Sequence, residues 1–313
     1  MKKISSLLLL LAAIIWGSAF VAQKATTVVP TLTLVFMRSI IAVVGLIPVT
    51  LLFDRLSKNQ RHLFDFKRKR IDITKKELLG GFLCGIFLFG ASALQQVGLT
   101  GTDAGKTSFI TALYVVIVPL YALFLGKKSS VNAWIGVGVA VIGFYLLCIK
   151  EGFSIATSDL FVFLCAFVFA LHIMCIDFFL ADCDGVRLSL VQFTTVTVIS
   201  FASALIFESP IRFSVALEVL PQICFLGIGS SCIAYTLQII GQKNNHPAVA
   251  SIILSLESVF GALFSAIILS ERMTVKEYVG SVLILFAVVI AQLDFKSIVT
   301  KIKENRPKKT FEK

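Results

Sequence analysis

Apolar residues in this chain run in blocks of about twenty, separated by short polar stretches. At 1.5 Å rise per residue, roughly 20 apolar residues span the ~30 Å of a bilayer's hydrocarbon. Ten blocks meet that length: 4–24, 32–53, 78–98, 105–125, 132–149, 158–180, 188–208, 219–240, 248–270 and 275–295. Short connections rich in Gly, Pro, Asn, Asp and Lys join most of them, which forces antiparallel neighbours. None shows the alternation of a transmembrane β-barrel strand. The pattern predicts an all-α polytopic membrane protein of ten transmembrane helices.

Composition agrees. The chain of 313 residues is 57% hydrophobic and only 15% charged, with mean hydropathy +0.93. A soluble domain is about 25% charged, and surface-to-volume scaling leaves a globule too little interior to hide this excess. Disorder is excluded on the same grounds. The net charge of +11 would suit nucleic acid, but the basic residues cluster in Arg55–Lys76 and Lys296–Lys313. With the N-terminus inside, 22 of the 29 Lys and Arg fall on the cytoplasmic side. That bias predicts a multi-pass protein of the cell membrane with both termini cytoplasmic. Its basic loop 54–77 and basic tail 296–313 then face anionic lipid headgroups, and no nucleic-acid partner is expected. Lys2 and Lys3 before an apolar run, with Gly17-Ser18-Ala19 after it, resemble a signal peptide. Nine further spans favour an uncleaved first helix. The seven cysteines form no Cys-x-x-Cys and read as small hydrophobes, without a disulfide framework or a zinc site.

The chain also echoes itself. Ala104–Leu147 aligns without a gap on Ala248–Ala291, pairing Val131 with Val275, Trp134 with Tyr278 and Gly136 with Gly280. Upstream, Gln95 meets Gln238, and Leu32-Thr33-Leu34-Val35 meets Leu188-Ser189-Leu190-Val191. Two units of five helices follow, 4–149 and 158–295. Five is odd, so the second unit enters from the opposite face, an inverted repeat of the kind that supports alternating access.

Several motifs carry a family resemblance. Trp16-Gly17-Ser18-Ala19-Phe20, Phe36-Met37-Arg38, Leu113-Tyr114-Val115-Val116 through Pro119, Ala234-Tyr235-Thr236-Leu237-Gln238 and Leu256-Glu257 are similar to the EamA family of the drug/metabolite transporter (DMT) superfamily. So is Ser270-Glu271-Arg272-Met273-Thr274, which resembles the family's small-Glu-Arg-Leu-Thr ending. The resemblance covers about residues 4–295. It implies two inverted EamA repeats and a permease for small metabolites, often an exporter, with amino acids or related compounds as substrate. Two positions depart from the family: Ser258 stands where proline is usual, and Lys127 where the first repeat often has an acid.

Enzyme chemistry finds no footing. Gly98–Thr107 superficially suggests a phosphate loop, but Thr100 occupies the glycine position and no strand precedes it. It reads as a turn with Asp103 near a helix start and Lys106 at the membrane surface. Gly229-Ser230 lacks a nucleophile context, and no pair of aspartates lies at mid-membrane depth. No catalytic residue, metal or cofactor is expected.

The remaining candidates are polar residues inside apolar spans. Glu257 lies about 15 Å deep, ten residues past Pro247. A charge there costs at least ~2.5 kcal/mol unless it meets a wet cavity, a partner or a proton. It would contact a substrate amine or couple protons, or else lock helices through a structural hydrogen bond. Arg38, about 10 Å below the outer end of its helix, would grip a carboxylate, snorkel to the surface, or pair with Asp103 or Glu208 as an outer lock. Gln95 and Gln238 sit near opposite ends of their spans, as mirrored gates or as interhelical contacts. Trp16, Tyr114, His172 and Tyr235 supply an aromatic wall with polar tips, or ordinary core packing. Gly81, Gly85, Gly136 and Gly280 let helices approach closely. Pro48 and Pro119 interrupt their helices, with Pro119 the expected hinge. Two rival functions stay open: a scaffold or lipid-binding protein would have a dry centre, and a passive channel would not saturate.

Overall fold

Each predicted apolar block carries helix in the computed structural model, which describes residues 2–55, 73–124, 131–148, 155–180, 182–210, 213–243 and 253–292. The first three blocks form α1 (Lys2–Ala25), α2 (Thr31–Arg55) and α3 (Lys75–Leu99). The fourth is divided into α4 (Ala104–Ala112) and α5 (Tyr114–Phe124), and α6 (Val131–Cys148) follows. The second half holds α7 (Thr157–Leu180), α8 (Gly185–Phe207) and a short α9 (Phe213–Glu218). Its next span is composite: α10 (Leu220–Cys224), a π-helical stretch Phe225–Ala234, and α11 (Tyr235–Lys243). Last come α12 (Glu257–Ile268) and α13 (Val275–Gln292). The basic loop, the basic tail, Lys127 and Pro247 lie largely or wholly outside the described residues.

Among the described residues, six helices are long and apolar enough to cross a membrane, and shorter apolar helices accompany them. Large apolar side chains point outward from the helical body, including Val275, Phe207 and Ile206 at 81%, 77% and 72% exposure. Water would not tolerate such a surface, but lipid does. Among the described residues the fold is all-helical, that of a multi-pass membrane protein.

Packing partnerships recur when the halves are exchanged. α3 lies against α7 and α8, as the π stretch lies against α1 and α2. α4 touches α7 as α12 touches α1, while α2 with α8, α4 with α12 and α6 with α13 pair across the halves. Close approach is purchased with glycine: a Cβ on Gly81 would stand 2.4 Å from Val191 Cβ, and one on Gly85 2.5 Å from Thr195 Cβ. Gly280 opposes Gly143 and Leu147 of α6, where an added Cβ would lie 2.7 Å from Gly143 O.

Acidic side chains from distant segments satisfy helix N-termini, whose first amides have no partner within the helix. Glu208 accepts from Leu32 N and Thr33 N at 2.8 Å each, capping α2. Glu271 accepts from Ala104 N and Gly105 N at 3.0 and 3.1 Å, capping α4. The Ser270–Thr274 motif thus has a physical role. Ser270 turns the chain through φ 56°, Glu271 holds α4, and Thr274 caps α13 with Glu277.

Lys106, at the start of α4, is not exposed. It is buried, with its Nζ 2.7 Å from Asp159 on α7, whose other oxygen takes the Thr102 hydroxyl at 2.8 Å. Nor does Pro48 interrupt its helix, since α2 continues through it.

Candidate functional site

Trp16, Arg38, Gln95, Tyr114, His172, Tyr235, Gln238 and Glu257 all line one cavity of about 70 Å³. One water centre needs only ~10–15 Å³, so the cavity has room for several. Residues from both halves enclose it.

Two interruptions position its acidic end. At Leu113 the helix of the fourth block tightens, with Leu113 N donating to Ile110 O at 3.2 Å. At Leu256 the same bond recurs, with Leu256 N donating to Ile253 O at 3.3 Å. Tyr114 and Glu257 are the first residues beyond these breaks, and the tyrosine hydroxyl donates to Glu257 Oε1 at 2.9 Å. The breaks pair Tyr114 with Glu257, one residue off the gapless register, which pairs Leu113 with Glu257. The second break forms without the proline the family usually has. Ser258 Oγ instead donates back to Ser255 O at 2.8 Å, a hydroxyl contact that bends helices. Ser108 Oγ donates to Ser258 O at 3.1 Å and ties α4 to α12.

Arg38 forms the basic end. It donates to Gln23 Oε1 at 3.1 Å and to Ser231 Oγ and Ser230 Oγ at 3.3 and 3.5 Å. All these acceptors are neutral. Glu208, one of its expected lock partners, caps α2 instead, and Arg38 faces the interior cavity, so neither the lock with Glu208 nor the snorkelling option describes it. Arg38 and Glu257 form no ion pair with each other among the described residues. A guanidinium has five donors in a fixed fork, so neutral acceptors leave it able to grip an anion.

Between the two ends stands an aromatic wall. Tyr235 packs edge-on against Trp16 at 5.0 Å, Phe193 at 5.3 Å and His172 at 6.2 Å between ring centroids. Trp16 Nε1 donates to Ser230 O at 3.1 Å, which anchors the indole to the π stretch. π-Helical turns are rare and concentrate at functional sites. Here Ser230 and Tyr235, five residues and one i→i+5 step apart, both reach the cavity. His172 Nε2 lies 3.1 Å from Gln192 Oε1, which fixes the imidazole.

Gln95 Nε2 donates to Thr111 Oγ1 at 3.2 Å. Gln238 Oε1 is buried without a hydrogen-bond partner among the described residues. Both glutamines reach the same cavity. Gln23, Ser92, Thr111 and Ser230 also line it and escaped sequence reasoning. Helical spacing could have found the first three: Gln23 is two turns beyond Trp16, and Ser92 and Thr111 lie three residues before Gln95 and Tyr114. Pro119 falls within α5, and its side chain lies outside the described residues; the break itself is at Leu113.

Lys106 is held by Asp159, and no group of three His, Cys, Asp or Glu side chains fit to hold a metal occurs among the described residues.

The EamA-like transporter family matches residues 3–149 and again 156–292. An uncharacterized transporter of Archaeoglobus fulgidus is 32% identical over 217 residues, which cover 68% of each chain. A solved crystal structure superposes with TM-score 0.62 at 17% identity, covering 97% of this chain and all of its own, and supports the fold.

Proposed function

The chain belongs to the EamA-like transporter family, and on that premise we propose that it exports a small zwitterionic metabolite, an amino acid or a close relative. The reading takes it as a secondary transporter of the cell membrane working by alternating access. One observation carries it: among the described residues, a guanidinium whose hydrogen-bond acceptors are all neutral and a carboxyl held by a tyrosine line the same cavity without pairing. A ligand carboxylate would take the Arg38 fork, its amine would meet Glu257, and its side chain would lie against Trp16 and Tyr235. Gln238, with a free acceptor, suits a ligand N–H or O–H. A dry-centred scaffold would have no use for this lining.

In the same reading the chain crosses ten times, with both termini cytoplasmic and the 4–149 and 158–295 units inverted. The exchange symmetry of the packing and the matched breaks at Leu113 and Leu256 support it. Pro119, whose missing N–H weakens the helix six residues past the first break, serves as the hinge. Gln95 and Gln238 act as gates.

A ligand-stabilisation screen on purified protein tests the substrate class, using amino acids, nucleosides, sugars and cationic drugs. Amino acids should raise the melting temperature, and the gain should vanish in Arg38→Lys. Stabilisation by nucleosides or sugars alone would contradict the zwitterion reading. If Glu257 also carries the coupling proton, Glu257→Gln flattens the pH dependence of transport in liposomes.

A further inference from the structure

Cys84 on α3 and Cys175 on α7 bring their Sγ atoms within 3.3 Å of each other. Both are free thiols, Cys84 fully buried and Cys175 half-buried. Their surroundings are apolar, with Ile176, Phe179 and Leu188 packed around them and Cys183 at the edge. The two helices are clamped together on either side of the pair. A Cβ on Gly80 would lie 2.6 Å from Phe179 Cγ, and one on Gly98 2.3 Å from Val162 Cγ2. Forming a disulfide of ~2.05 Å therefore needs the sulfurs to close by only roughly 1.2 Å, within reach of a small side-chain rotation.

We propose that Cys84 and Cys175 are an oxidisable pair, converted by hydrogen peroxide or an organic hydroperoxide into a disulfide that staples α3 to α7. Cys175, the more accessible sulfur, attacks one peroxide oxygen. The O–O bond breaks, leaving a sulfenic acid on Cys175 and a hydroxide that takes the thiol's proton as water (an alcohol for an organic hydroperoxide). Cys84 sulfur then attacks Cys175 sulfur. The S–S bond forms as the S–O bond breaks, and the departing hydroxide leaves as water with the Cys84 proton. Two thiols give up two electrons, and one hydrogen peroxide becomes two waters.

The staple would join helices that both furnish the cavity, α3 with Ser92 and Gln95 and α7 with Phe169 and His172. Its effect on transport rests on the function proposed above, in which α3 and α7 belong to opposite halves. Oxidation then stops their relative motion and with it the cycle.

The test uses the full chain in proteoliposomes treated with hydrogen peroxide, with non-reducing peptide mapping by mass spectrometry and counterflow of a tritiated amino-acid mixture. A Cys84–Cys175 linked peptide should appear, disappear with dithiothreitol, and be absent from Cys84→Ala and Cys175→Ala. Counterflow should fall at least tenfold on oxidation, recover on reduction, and stay unaffected by peroxide in Cys84→Ala. A Cys175–Cys183 linkage, oxygen adducts without any linkage, or complete linkage with undiminished counterflow would overturn the proposal. Wild-type protein that forms the linkage yet exchanges no amino acid before oxidation supports the oxidisable pair and counts against the transport reading.

Discussion

Replacing Lys106 by methionine keeps an unbranched side chain, one heavy atom shorter, and removes its charge. Asp159 is 1% exposed, so without the ammonium at 2.7 Å its carboxylate keeps the Thr102 hydroxyl but no cation. Breaking a buried ion pair from one side costs about 3–5 kcal/mol, because a charge is left without compensation. The retained hydroxyl contact puts Lys106→Met near the lower end, about 3 kcal/mol. Removing both charges in Lys106→Met with Asp159→Asn should recover most of that loss, since the burial cost of the pair disappears with the pair. Equilibrium unfolding in mixed micelles measures the full double-mutant cycle. A single variant within about 1 kcal/mol of wild type, or a double variant worse than the sum of the singles, would refute the reasoning, because Asp159 would then have water or another cation at hand.

Other outcomes follow from the same contacts. Gly280→Ala places a Cβ 2.7 Å from Gly143 O and 2.8 Å from Leu147 N, backbone atoms that cannot step aside, and should cost about 1–3 kcal/mol in the same unfolding assay. Gly138→Ala on α6 meets nothing within 4 Å and should gain up to about 1 kcal/mol from helix propensity. Arg38→Lys exchanges a fork for a point charge, and losing a charge-assisted hydrogen bond of about 1.5–3 kcal/mol should weaken ligand binding at least tenfold by calorimetry. At the N-cap of α4, partial burial and the neighbouring Glu271 raise Asp103 above the ordinary aspartate range, against the pull of Lys24. Its ionisation therefore opposes folding. Asp103→Asn should raise the melting temperature at neutral pH, and that gain should shrink as pH falls towards the ordinary aspartate value and wild-type Asp103 becomes neutral.

Helices and candidate site were legible for one reason. In a chain this apolar, helix-length blocks stand out, and so does any charged, amide or aromatic-polar group inside them. Glu257, Arg38 and Gln238 are conspicuous for that reason, and they meet in the cavity. Hydroxyls are too common in apolar spans to stand out, and so Ser92, Thr111 and Ser230 were missed. Long-range pairing leaves no local mark either. Lys106 reads as a surface cation until Asp159, 53 residues on, is brought beside it. The π stretch is likewise silent in Phe225–Ala234, where Gly227, Gly229 and two serines loosen the helix without specifying an i→i+5 step. Proline misled in the other direction. It drew attention to Pro48 and Pro119, whereas the described backbone runs through Pro48 and breaks at Leu113 and at Leu256, where a serine contact replaces a ring.

The central claim, alternating access through the shared cavity, is tested most directly by trans-stimulation in proteoliposomes. Internal unlabelled amino acid should accelerate uptake of the labelled compound several-fold in wild type and not in Arg38→Lys. Uptake that ignores the internal pool and rises without saturation would mean a channel, and would contradict the account.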